Sequence, residues 1–142
     1  MPRPVRPRVA IITPTLAASN TGNWHTAARW ARFLKPHFRV RLSDRWDGGT
    51  DDCLIALHAR RSAASIRAFA RAYPQRPLIV VLTGTDLYRD LPRNRQARTS
   101  LELATRLVAL NELAPRRLPP RWRHKCEVIL QSAPRLKRGR KG

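Results

Sequence analysis

A chain of 142 residues that is 42% hydrophobic is the size of one folded domain with a real core. Its 29 Lys and Arg against 9 Asp and Glu give a net charge of +20, a field that favours phosphorylated or otherwise anionic ligands. No apolar run approaches the roughly 20 residues of a membrane span, and two cysteines, Cys53 and Cys126, neither in a zinc-type spacing, exclude a disulfide framework and make a reduced, cytoplasmic compartment the expectation.

The first predicted element is a strand over residues 8–13. Arg3, Arg6 and Arg8 ahead of Val9-Ala10-Ile11-Ile12 imitate a signal peptide, but Thr13-Pro14-Thr15 breaks the apolar segment too early for one. A loop over 14–23 leads to a helix over 24–35, with Trp24, Ala27, Ala28, Ala31 and Leu34 on one stripe and His25, Arg29 and Arg32 opposite, stopped by Pro36. A short strand over 39–42 precedes the polar turn 47–52, and a strand over 53–57 follows. Ser62 fits the cap of a second helix, whose Ile66, Phe69, Ala70 and Tyr73 follow helical spacing until Pro74.

Leu78-Ile79-Val80-Val81-Leu82 is an unalternating apolar run, the pattern of a parallel strand covered on both faces. A third helix is expected over 94–104, a strand over 106–110, a helical turn over 111–114 and a last strand over 127–130. Pro119-Pro120 assigns 115–123 to an irregular surface connection. Strands alternating with helices make this a doubly wound α/β unit with a mostly parallel sheet, over residues 1–134. Residues 135–142, where Arg135, Lys137, Arg138, Arg140 and Lys141 stand without an acid, read as a basic disordered tail.

Ligands of such sheets sit beyond the carboxyl ends of the strands, where three loops are expected to meet. In the first, Gly22 before a helix start brings backbone N–H groups to a phosphate, although Asn23 equally fits a plain N-cap and no glycine-rich phosphate motif is present. In the second, His58 ends a buried strand and Arg60-Arg61 follow, a donor cluster suited to oxyanions; a histidine satisfying a local carbonyl is the alternative. In the third, Thr83, Gly84, Thr85 and Asp86 form a polar turn, where Gly84 allows close backbone approach and Asp86 either accepts from a ligand or caps a turn.

Several of these strings together resemble the amino-terminal half of a GT-B glycosyltransferase related to the family-four enzymes. They are Ile11-Ile12-Thr13-Pro14 through Asn20-Thr21-Gly22-Asn23-Trp24, Arg29-Trp30-Ala31-Arg32, Trp46-Asp47-Gly48-Gly49, residues 55–62 with His58-Ala59-Arg60-Arg61-Ser62, and residues 80–90 with Thr83-Gly84-Thr85-Asp86-Leu87-Tyr88-Arg89-Asp90. The likeness covers about residues 8–134 and is greatest to the selenosugar synthase branch of selenoneine biosynthesis. It implies a Rossmann-like domain that helps transfer N-acetylglucosamine from UDP-N-acetylglucosamine to selenophosphate, with the UDP-sugar as substrate and neither cofactor nor metal. It implies His58 as a catalytic residue, and Gly22, Asn23, Arg60, Arg61, Thr83, Gly84 and Asp86 as binding residues for the nucleotide-sugar donor and a small anionic acceptor.

GT-B enzymes hold the nucleotide mainly in a second Rossmann-like domain, reached through a linker that Gln131-Ser132-Ala133-Pro134 resembles. The acidic pair about eight residues apart in that second half has no counterpart, since Glu102, Glu112 and Glu127 are the acids after Asp90. The expectation is therefore a fragment, a truncated or frameshifted gene product, or one half of a split enzyme whose carboxyl-terminal domain is separately encoded, and in each case a chain inactive alone. The alternative from another class is a noncatalytic basic α/β module that binds nucleic acid or another polyanion. Scattered arginine without an aromatic platform speaks against nucleic acid, and no membrane partner is expected.

Overall fold

The computed structural model describes residues 6–14, 22–83, 91 and 93–129. Six strands in these residues form one all-parallel open sheet: β1 (Arg8–Ile12), β2 (Arg39–Ser43), β3 (Cys53–Leu57), β4 (Leu78–Leu82), β5 (Arg106–Ala109) and β6 (Cys126–Val128), in the order β2-β1-β3-β4-β5-β6. From β1 the chain moves outward to β2 on one side and to β3 on the other. The crossovers place α1 (Gly22–Leu34) on one face and α2 (Ala63–Ala72) and α3 (Arg95–Leu103) on the opposite face.

The two cores match this winding. Ala27 and Ala31 of α1 pack with Val9, Ile11, Ile55, Leu57, Val81 and Val108, whereas Ile66, Phe69, Ala97 and Leu101 of α2 and α3 pack with alternate residues of the same strands, among them Ala10, Leu54, Ala56 and Val80. Uninterrupted apolar residues form β3 and β4 because both faces are covered. The fold is therefore Rossmann-like α/β with a chain reversal between β1 and β3, the position where ligands bind in open parallel sheets.

The β2-to-β3 crossover carries no helix, and Trp46 fills that place. Its ring meets Phe69 edge-on at 5.3 Å and Tyr73 at 6.0 Å, and its backbone N–H donates to Ser65 Oγ at 2.9 Å.

Four sequence expectations are corrected. The 115–123 stretch is regular: a 3-10 turn, Ala114–Arg117, is followed by α4 (Pro120–Arg123), since proline at the first helical position gives up an N–H that has no helical partner anyway. Leu118 and Trp122 of this stretch are buried, and the Trp122 indole N–H donates to Glu102 Oε1 at 2.9 Å. The last strand is Cys126–Val128 rather than 127–130, in register with Leu107, Val108 and Ala109; residue 130 lies outside the described residues. Ser62 precedes α2 without capping it through its side chain, and Asn23 stands inside α1, which starts at Gly22, so it is not the N-cap. Asn94, by contrast, caps α3 by accepting from the Ala97 N–H at 2.9 Å.

Candidate functional site

The carboxyl ends of β1, β3 and β4 lie side by side, because Ile12 pairs with Ala56 and Leu57 with Val81. Thr13 continues from β1 with its N–H donating to the Ser43 carbonyl at 2.9 Å, and is fully buried. α1 runs back from this edge, so Gly22 and Asn23 form its first turn there, where backbone N–H groups and the helix dipole favour an anion. Asn23 is half-buried, and Thr26, a turn further on, is buried.

The turn after β3 is the most constrained part of this edge. His58 is 4% exposed and has φ of +76°, a left-handed conformation that costs a side-chain-bearing residue roughly 1–2 kcal/mol. Its N–H donates to the Val81 carbonyl at 3.0 Å, tying β3 to β4, and its carbonyl accepts from the Ser62 N–H at 3.0 Å. The ring is held too, because the Arg61 N–H donates to His58 Nδ1 at 3.1 Å. An Nδ1 that accepts carries no proton, so the neutral ring is protonated on Nε2.

Arg60 is half-buried and Arg61 exposed, both on the same turn, and Thr83 stands half-buried immediately after β4. His58, Arg60, Arg61 and Thr83 are thus gathered at adjacent strand ends, with the first turn of α1 at the same edge. Gly84 and Asp86, with Thr85, lie outside the described residues.

Two groups that anchor this turn are not visible as site residues in the sequence. Ser62 Oγ donates to the Leu57 carbonyl at 2.5 Å, and Ser100 Oγ, from the middle of α3, donates to the Ala59 carbonyl at 2.6 Å. Ser62 carries a signal only as a helix cap, and Ser100, 41 residues from Ala59, carries none.

The opposite, amino edge holds a separate polar network. Asp51 is 3% exposed and accepts from Arg41 Nη2 at 2.8 Å, Arg41 Nε at 3.2 Å and Trp46 Nε1 at 2.9 Å, while Arg41 Nη2 also reaches Asp47 at 2.9 Å. Burial alone would push the Asp51 carboxyl up, but Arg41 and the Trp46 indole N–H together hold it below its ordinary value, and Asp51 in turn raises the Arg41 guanidinium. Gly49 closes against this pair: a Cβ there would stand 2.9 Å from Arg41 Nη2. Every partner in the network is internal, so its role is to hold the β2–β3 crossover.

Among the described residues no group of three or more His, Cys, Asp or Glu could hold a metal ion, and no helix is long and apolar enough to cross a membrane. No protein-family model matches the chain, and comparison with the curated proteins gives no match.

Proposed function

We propose that this chain is the acceptor-side, amino-terminal domain of a GT-B glycosyltransferase of the selenosugar synthase type, contributing to transfer of N-acetylglucosamine from UDP-N-acetylglucosamine to selenophosphate without a metal. The observation that carries this reading is the strained His58 turn, with Arg60 and Arg61 on it, beside Thr83 and the first turn of α1 at the chain reversal of the sheet. In the transfer, the acceptor attacks the sugar C1 while the C1–oxygen bond to UDP breaks and UDP leaves with the electron pair. A multiply charged anionic acceptor needs positive donors that do not neutralise, which guanidinium groups supply. Arg60 and Arg61 hold the acceptor, the first turn of α1 approaches donor phosphate, and His58 orients a reacting oxygen. The nucleotide-binding wall is a second Rossmann-like domain.

The experiment is reconstitution. The chain is mixed with the carboxyl-terminal half of a selenosugar synthase and UDP release is followed with selenophosphate as acceptor. The chain alone should give no turnover, and the mixture should. Losing a charge-assisted bond costs about 1.5–3 kcal/mol, so Arg60→Ala and Arg61→Ala should each lower the reconstituted rate by about 10- to 100-fold. Arg67→Ala, on an exposed position of α2, should leave it within about twofold. Equal losses at all three arginines would remove the assigned role. Turnover by the isolated chain would contradict the need for a second domain.

A further inference from the structure

The bonds around His58 exceed what the end of a strand requires. A buried carbonyl needs a partner, and backbone N–H groups usually provide it. Here the two carbonyls that flank His58 are each taken by a serine hydroxyl from a different helix-bearing segment: Leu57 O by Ser62 and Ala59 O by Ser100. Leu57, Ala59 and Ser100 are fully buried and Ser62 nearly so, so these bonds are shielded from competing water. Between them the chain takes the left-handed conformation at His58, which persists only where its surroundings over-determine it. The same geometry carries the Arg61 N–H onto His58 Nδ1.

We infer that Ser62 and Ser100 are positioning residues: by fixing the carbonyls on either side of His58 they hold its left-handed turn and lock the ring as the neutral Nε2–H tautomer. In that tautomer the Nδ1 lone pair is committed to the Arg61 N–H and the ring carries its proton on Nε2, the chemistry of a donor to oxygen. The inference rests on the proposed function only in treating this sheet edge as the ligand side. The plain alternative is that the serines satisfy two buried carbonyls and have no hold on the ring.

Nitrogen NMR of the full chain labelled at histidine separates the two, without any ligand. His58→Asn assigns the signal among the four histidines, since asparagine tolerates the left-handed region and offers its carbonyl oxygen to the Arg61 N–H. The wild-type protein at neutral pH should show His58 as one tautomer, protonated on Nε2. Ser62→Ala and Ser100→Ala should each raise the other tautomer above about 10%. Ser62→Thr, which keeps the hydroxyl, should restore the wild-type pattern. A wild-type His58 protonated on Nδ1, or mixed, overturns the inference outright, whatever the variants do. Folded alanine variants with an unchanged single tautomer overturn the positioning role, and if Ser100→Ala loses its cooperative unfolding transition, the Ser62→Ala and Ser62→Thr pair decides. None of these results depends on glycosyl transfer, so failure of the transfer assay leaves them standing, and the reverse.

Discussion

Replacing Asp51 with asparagine removes the charge that Arg41 and the Trp46 indole N–H share. Breaking a fully buried ion pair from one side costs about 3–5 kcal/mol, because the other charge is left desolvated. The Arg41 side chain is 37% exposed, so water recovers part of that loss, and an asparagine oxygen keeps one of the acceptor positions. The expected destabilisation is about 2–3 kcal/mol, or about 8–12 °C in Tm for a domain of this size. Asp47→Asn is the matched control, since that carboxylate is 67% exposed and bridges the same guanidinium; it should cost under about 1 kcal/mol.

Urea unfolding of the three proteins at pH 7 measures both. The pH dependence follows from the sign of the shift. Asp51 sits below its ordinary value in the fold, so its contribution is fully present above the unfolded value of about 3.9 and is lost as pH falls through the folded value. The gap between wild type and Asp51→Asn should therefore be widest near neutrality and close below about pH 4. An Asp51→Asn protein no less stable than Asp47→Asn at pH 7 would refute the reasoning.

Two further outcomes test other parts of the fold. Trp122→Ala should cost about 3–5 kcal/mol by urea unfolding, because the ring is 3% exposed and bonded to Glu102. Leu113→Ala, at a 61% exposed side chain just before the 3-10 turn, should change stability by under about 0.5 kcal/mol; similar costs at both would show that the proline-rich stretch is not part of the core. Burial, aided by the charges of Asp51 and Asp52, pushes the Cys53 thiol up to about 11, so little thiolate exists at pH 8. A disulfide reagent at pH 8 should modify Cys53 about 100-fold more slowly in the folded protein than in urea, and equal rates would contradict that environment.

The sheet was legible because burial on both faces leaves a continuous, unalternating run of apolar residues. β3 and β4 were readable to the residue for that reason. Asn94 was readable as the boundary of α3, since a short polar side chain before a helix is a local signal. The segment around Trp122 was not, because Pro119-Pro120 marks a break in most contexts and only tertiary burial of Leu118 and Trp122 makes it a helix start. At the candidate site, His58, Arg60 and Arg61 stand together in the sequence and remain together in space. Ser100 reaches Ala59 only after α3 has packed beside α2, a contact that no local pattern encodes. The Arg41–Asp51–Trp46 network was likewise hidden, since the polar turn before β3 signals a loop but not which strand it binds.

The claim that anions are taken at the His58 edge is tested most directly by titrating the isotope-labelled full chain with inorganic thiophosphate, the lighter analogue of the proposed acceptor, and following amide shifts by NMR. The account predicts saturable shifts confined to residues 58–62, Thr83 and the first turn of α1, weakened about 10-fold or more by Arg60→Ala. Shifts spread over the scattered arginines, or centred on Arg41 and Asp51 at the amino edge, with an affinity that collapses steeply as salt is raised, would contradict it and mark a general polyanion-binding surface.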